Sequence, residues 1–252
     1  MYNPPMDKVR IIILAAGKGT RMKSGLPKAM IPLSGKHFIK HLLESVDQSG
    51  IDKQPIVVVG YERNLVMKEL GDKYEYVIQE EQLGTGHAVL AAKEACRNAE
   101  NVIVIFGDQP FIKPETMQKL LRRHLDSGAT LTISTAILPD FEGWREVFAM
   151  YGRIIRKNGK IIDREYKDAS VEEKNIKEIN VSCIAFKAKW LWKNLEKLDK
   201  NENFQKEYYL TDLWQIASEN NEKMESIQID PKEALGANSK EELDVLENLM
   251  LK

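Results

Sequence analysis

The ten residues "ILAAGKGTRM", 13 to 22, leave an apolar run through two alanines and enter Gly17, Lys18, Gly19, Thr20 and Arg21. The run begins at Val9 and ends at Leu14, short for a helix and rich in β-branched residues, so it reads as a strand buried on both faces. Two more runs share its texture, "PIVVVG" from 55 and "NVIVIFGD" from 101, each closed by Gly or Asp. Helical stretches lie between and after them. "HFIKHLLESVDQSG" stops at Gly50, "GHAVLAAKEACRNA" carries an Ala-rich face, and "KPETMQKLLRRHLDSG" starts at a Pro and stops at Gly128. Strand and helix alternate from residue 9 to about 137, which implies an α/β fold with a doubly wound, mainly parallel sheet of Rossmann-like form. In such sheets ligands gather at the carboxyl ends of the strands, where both the glycine stretch and "FGDQP" fall.

Beyond residue 138 the texture changes. "YGRIIRKNGKIIDREY" reads as two short strands about a turn at Asn158-Gly159, and "INVSCIAFKA" as another strand. "AKWLWKNLEKL" and "YYLTDLWQIASEN" read as helices, and "NSKEELDVLENLMLK" as an amphipathic helix opened by a capping box, Ser239 with Glu242. With no low-complexity linker, residues 1–252 read as one domain of two lobes, the second (139–252) a smaller α+β half over the mouth of the first (1–138). Thirty-seven Lys and Arg against 38 Asp and Glu exclude a broad attraction to nucleic acid or to an anionic membrane. No run reaches the roughly 18 apolar residues of a membrane span. Two isolated cysteines, Cys96 and Cys183, fit a reducing compartment, and the expectation is a soluble cytoplasmic protein.

Gly17 and Gly19 let a ligand approach the backbone, and Lys18, Arg21 and Lys28 add cations, the makings of a phosphate cradle. A strand-to-helix turn with solvated basic residues would look the same. Two familiar phosphate loops do not fit. One residue separates Gly17 from Gly19, against four in a P-loop, and Met22 occupies the place of the third glycine of a dinucleotide fold.

"LAAGKGTRM", Pro27-Lys28, "QEEQLGTGHA" from 79, "FGDQP" from 106, "YGRI" from 151, "EIN" from 178 and "EYYLTD" from 207 follow in that order. Together they resemble the uridylyltransferase half of the bacterial N-acetylglucosamine-1-phosphate uridylyltransferases of the GlmU type, over nearly the whole chain. The resemblance implies transfer of a uridylyl group from UTP to a sugar 1-phosphate, with Mg²⁺ as cofactor. It assigns Leu14, Ala15, Ala16, Gly17, Gln79, Gly84, Thr85, Phe106 and Gly107 to the nucleotide, and Arg21, Lys28 and Asp108 to catalysis. Gly152, Glu165 and Asn180 would hold the sugar, and Asp108 with Asn238 the metal. The first lobe is then nucleotide-binding and the second sugar-binding. Residue chemistry is compatible: a hard carboxylate at a strand end suits Mg²⁺, and the Gln79 amide matches the donor and acceptors of uracil. Taken singly, Asp108 could be a turn aspartate, Asn238 part of a helix cap and His87 a first-turn helix residue. His37 and His41 lack the Glu of a zinc-protease helix and read as structural, and the four Trp as packing residues.

Three departures bear on the sugar. Asn180-Val181-Ser182 stands where the family has Asn-Thr-Gly, Phe106 stands where Tyr is usual, and "PDFEGWREVFAMYGRI" is a longer approach to Tyr151 that would make a lid. Bifunctional members continue into an acetylating, trimerising β-helix, and the expectation from 252 residues is a monomeric uridylyltransferase. N-acetylglucosamine 1-phosphate is the first substrate reading. Glucose 1-phosphate or another sugar phosphate, and a nucleotide-binding regulatory module without turnover, remain as alternatives.

Overall fold

The computed structural model describes residues 8–19, 25–157, 159–198 and 207–250. In chain order the first half runs β1 (Val9–Ala15), β2 (Pro32–Leu33), β3 (Lys36–His37), α1 (Phe38–Ser49), β4 (Ile56–Val59), α2 (Arg63–Leu70), β5 (Glu75–Ile78), α3 (Thr85–Ala91), β6 (Asn101–Phe106), α4 (Pro114–Ser127) and β7 (Leu131–Ile137). The second half adds β8 (Arg153–Lys157), β9 (Lys160–Arg164), α5 (Val171–Lys174), β10 (Glu178–Lys187), α6 (Ala188–Leu195), α7 (Asp212–Glu219), β11 (Met224–Ile229) and α8 (Lys240–Met250).

The expected α/β architecture is present. A mixed sheet runs in the order β11-β7-β10-β6-β1-β4-β5, with the β8–β9 hairpin attached to β10. β1 pairs in parallel with β4 and β6, β4 with β5, and β7 with β11. Successive residues of the central strands feed two cores. Ile11, Ile13, Val57, Val59, Ile103 and Ile105 face one side with α1 and α4, while Ile12, Ile56, Val58, Val102 and Val104 face the other with α3, α6 and α7. That two-sided burial is why these strands read as unbroken apolar runs, each Ile or Val contributing about 1.5–3 kcal/mol. Gly50 and Gly128 end α1 and α4 in the left-handed conformation, at φ 67° and 65°.

The sequence does not divide where the sheet does. β10 and β11, from the second half, complete the main sheet: β10 is its one strand antiparallel to both neighbours, β6 and β7. The single long helix expected over 86–99 is instead α3 followed, past Ala92, by a 3-10 turn at Glu94–Cys96. Arg10 accounts for the break, since its guanidinium binds the Ala95 carbonyl at 2.9 Å while also pairing with Asp52 and Glu75. β8 and β9 form the expected hairpin, although Asn158 of its turn lies outside the described residues.

The segment 139–151, read from the sequence as a lid, is anchored to the core in this structure. Phe148 is fully buried, Trp144 and Tyr151 pack edge-on against it, and Phe141 and Val147 also pack on the core of the α1/α4 face, while Met150 is exposed. Arg153 fastens it, binding the Ala149 carbonyl at 2.8 Å and the Tyr151 carbonyl, with its guanidinium 4.5 Å from the Phe141 ring. The extra residues buy packing around a buried arginine. No helix among the described residues is long and apolar enough to cross a membrane.

Candidate active site

The carboxyl ends of β1 and β6 lie side by side, and the loops that leave them form the floor of the site. Gly107 donates its amide to the Leu14 carbonyl at 2.9 Å, and a Cβ on Gly107 would stand 2.8 Å from that oxygen, so only glycine lets the two strand ends close. Lys28 donates its backbone N–H to the Gly17 carbonyl at 3.1 Å, which folds residues 17–19 back against the Pro27-Lys28 corner. Gly19 has φ 63°, and the N–H groups of Gly17, Lys18 and Gly19 have no hydrogen-bond partner among the described residues. Donors left free in this way are what an anion requires. Lys18 stands 5.2 Å above the Tyr61 ring, and Arg21 lies outside the described residues.

The centre of the site is one ammonium group. Lys28 Nζ forms an ion pair with Asp108 Oδ2 and donates to Asn238 Oδ1 at 2.6 Å, joining residues 210 positions apart. Asn238 is oriented by the last helix: its backbone N–H and Nδ2 both donate to Glu242 Oε2, at 2.6 and 3.2 Å, leaving its carbonyl oxygen for Lys28. Ser239 caps α8 by accepting the Glu242 amide at 3.2 Å. The capping box is therefore only half formed. Ser239 takes its share, but the returning carboxylate goes to Asn238, and the cap and the site function are carried by adjacent residues.

Two residues that the sequence reading passed over hold this strap in place. A Cβ on Gly236 would stand 2.7 Å from the Asp108 carbonyl oxygen, so glycine is needed for 236–238 to lie against the Asp108 loop. Glu233, 4% exposed, accepts from Thr116 Oγ1 at 2.6 Å and from the Lys113 amide at 3.0 Å, tying the strap to the start of α4. Nothing in "PKEALGAN" separates these two from ordinary loop residues without the partners that lie over 100 positions away.

The residues expected at the base also make bonds within the protein. Gln79, 3% exposed, donates from Nε2 to the Gly84 carbonyl at 3.1 Å and meets His87 Nδ1 at 3.0 Å. The Gly84-Thr85-Gly86 turn receives the 207–210 segment: Gly86 donates to the Tyr208 carbonyl, Tyr208 to the Leu83 carbonyl, and Leu210 to Thr85 Oγ1 at 2.9 Å. Gly84 adopts φ 100°, and a Cβ there would meet the Tyr208 backbone at 2.6 Å. The turn thus clasps the "EYYLTD" segment to the first half of the chain, and His87 is the first-turn helix residue that its position suggested.

The three residues expected at the sugar share one cavity of about 170 Å³. Gly152, Glu165 and Asn180 line it, with Phe106 at the end of β6, two residues before Asp108. β10 carries an irregularity between Val181 and Ile184, where its register with β7 shifts, and Asn180 just before it and Ser182 within it both line the cavity. The cavity also holds Asp163, which the sequence reading did not single out. It accepts from Asn180 Nδ2 at 2.7 Å, and burial together with the negative charge of Glu165 pushes its carboxyl up to about 7.

Among the described residues no three His, Cys, Asp or Glu converge as a metal-binding group. His37 and His41 are structural, His41 binding the Leu33 carbonyl at 3.0 Å and His37 lying 3.6 Å from Glu69. Both cysteines are buried and unbonded to each other.

Comparison with known proteins places the chain in a family. Residues 11–163 match the MobA-like NTP transferase domain. The chain is 39% identical to the bifunctional protein GlmU of Symbiobacterium thermophilum over 94% of its own length and 50% of that protein. It is 41% identical to that of Desulfotalea psychrophila, over 94% of the chain and 69% of the relative. The chain thus spans about half the length of most of the curated relatives it matches. In fold it is similar to a putative glucose-1-phosphate thymidylyltransferase from Bacillus anthracis, with a TM-score of 0.74 at 17% identity, covering 96% of this chain and 94% of that one. The matched stretch from β1 to β9, with relatives about 40% identical over nearly the whole chain, makes the chain a member of the MobA-like NTP transferase family, related to GlmU.

Proposed function

We propose that the protein is a nucleotidyltransferase that joins UTP to N-acetylglucosamine 1-phosphate, releasing pyrophosphate. The observation that carries this reading is the Lys28 ammonium held between Asp108 and Asn238, with amides of 17–19 that have no partner among the described residues and with the cavity lined by Phe106 and Asn180. The sugar phosphate oxygen forms a bond to the UTP α-phosphorus while the bond from that phosphorus to the β-phosphate oxygen breaks, and pyrophosphate leaves with the electron pair. Two anions must meet, so the work is positioning and charge neutralisation. Lys28, the amides of 17–19 and, by resemblance, Arg21 neutralise phosphate oxygens. Gly152, Glu165 and Asn180 hold the sugar so that its phosphate points toward the nucleotide.

Asp108 and Asn238 suit a divalent cation, because one carboxylate and one carbonyl oxygen already converge on a single positive charge. They are the residues that would hold Mg²⁺, which when bound would further neutralise the phosphates. Glucose 1-phosphate is the second reading, favoured by the irregular Val181–Ile184 stretch beside Asn180.

The test is pyrophosphate release from UTP, Mg²⁺ and N-acetylglucosamine 1-phosphate, with parallel reactions on glucose 1-phosphate and on CTP, ATP, GTP and dTTP. Preference for UTP with the acetylated sugar supports both assignments. Release with glucose 1-phosphate alone moves the reading to the second sugar. Folded protein that binds UTP and releases nothing with any pair overturns it in favour of a nucleotide-binding module.

A further inference from the structure

The sugar cavity contains a polarity that none of its expected residues explains. Asn180 spends an amide hydrogen on Asp163 Oδ2 at 2.7 Å. What remains is two acceptors, Asp163 Oδ1 and Asn180 Oδ1, both shut off from solvent and without a hydrogen-bond partner. Among the described residues Asp163 has no ion pair either, and Glu165 is the charge that acts on it, while the adjoining cavity is lined by Asp168, Asp212 and Glu219 as well as by the cation Arg164. Gly152 is built to this arrangement, since a Cβ there would stand 2.8 Å from Asp163 Oδ1.

A buried acceptor with no donor costs about 1–3 kcal/mol, a cost relieved when a ligand brings the missing hydrogen or, for Asp163, when the carboxyl takes up a proton. Resting on the uridylyltransferase reading, we infer that Asp163 is a positioning residue that sets the pocket's polarity. By fixing the Asn180 amide with its carbonyl oxygen unpaired, it selects a sugar 1-phosphate that presents an N–H group there. A hydroxyl can donate too, but it carries two lone pairs toward two acceptor oxygens, whereas an amide N–H carries none. The acetamido group of an N-acetylated sugar meets this requirement, and the plain hexose meets it less well.

Asp163→Asn is nearly isosteric and breaks the polarity. The new amide donates to Asn180 Oδ1 as readily as it accepts from Nδ2, so the Asn180 side chain is no longer held one way round. Steady-state rates on N-acetylglucosamine 1-phosphate and glucose 1-phosphate are measured for both proteins. The ratio of the two kcat/KM values is expected to fall about tenfold in the variant, mainly through the KM of the acetylated sugar, with the KM for UTP little changed. Calorimetric binding of UDP-N-acetylglucosamine and UDP-glucose gives the same ratio without turnover and covers a variant or wild type that is slow. An equal change for both sugars, in rates and in binding, overturns the inference and leaves Asp163 a structural residue. Wild-type protein that releases pyrophosphate with neither sugar yet binds the acetylated product better, in a way Asp163→Asn abolishes, overturns the uridylyltransferase reading and supports the pocket's polarity.

Discussion

The proposed phosphate end and the proposed sugar end of this site are built by opposite means. At the phosphate end the chain brings a positive group of its own, and Lys28 satisfies both Asp108 and Asn238 without any ligand. At the sugar end it leaves acceptors unsatisfied, Asp163 Oδ1 and Asn180 Oδ1. The first arrangement tolerates many anions that carry enough charge. The second penalises every ligand that lacks a donor in the right place, which is where discrimination between similar sugars has to come from.

The largest effect should come from breaking the phosphate end. Asp108→Asn keeps the size of the side chain and removes the charge paired with Lys28. Turnover is expected to fall about 10²–10³-fold with the melting temperature near that of the wild type. A variant with full turnover would remove Asp108 from the reaction.

Gly236→Ala tests whether the strap matters as geometry. The new Cβ meets a backbone oxygen 2.7 Å away, which cannot swing aside as a side chain would. The expected loss is about 1–3 kcal/mol in urea unfolding, with kcat falling more than either KM because Asn238 moves with the strap. An unchanged unfolding midpoint would mean that the strap is free to shift.

The phosphate end was far more legible in the sequence than the sugar end, and the reason is local. "LAAGKG" and "FGDQP" each place an apolar strand, a turn and a charged group within a few residues, so the strand fixes the address of the chemistry. Asn238 was legible only by resemblance, because its neighbour Ser239 gives a sufficient account of the same stretch as a helix cap. Asp163 was not legible at all. Its importance lies in Asn180, 17 positions away across two strand pairings, and in "KIIDREY" it is only the first of three consecutive charged residues. The segment 139–151 was partly legible for a related reason: a length difference suggests a flap, and only the fold reveals that Arg153 needs carbonyl partners and that Phe148 supplies core. β10 shows the same limit on a larger scale. Its apolar run announces a strand, and nothing local says that it inserts antiparallel between β6 and β7.

Gly152→Ala sharpens the comparison at the sugar end. Its Cβ would crowd Asp163 Oδ1, the end of a side chain held by Asn180, so the expected cost is about 1 kcal/mol of stability with a higher KM for the sugar. Adding Asp163→Ser removes the crowding oxygen. The double variant should therefore recover stability that Gly152→Ala lost, a coupling that independent sites would not show. Strict additivity would separate Gly152 from Asp163.

The smallest effect has the sign of a carboxyl whose burial outweighs the hydrogen bonds it receives. Asp163 is raised from 3.8 to about 7, by burial first and then by Glu165, while its bond from Asn180 works the other way. Between those two values the native protein keeps a proton that the unfolded chain has released, so Asp163 weakens the fold as pH rises from 4 to 7. Below 4 both states are protonated and above 7 both are ionised, and the contribution stops changing. Asp163→Asn cannot titrate, whereas Glu165, Asp168, Asp212 and Glu219 around the adjoining cavity are common to both proteins. The stability of the variant relative to wild type is therefore expected to climb between pH 4 and 7 and then level off, as read from urea unfolding at fixed ionic strength. A salt-bridged aspartate would give the reverse slope, with wild type gaining on the variant as the carboxyl ionises. A flat difference would mean that Asp163 is solvated, and the sugar pocket would then be as neutral in its choice as the phosphate end.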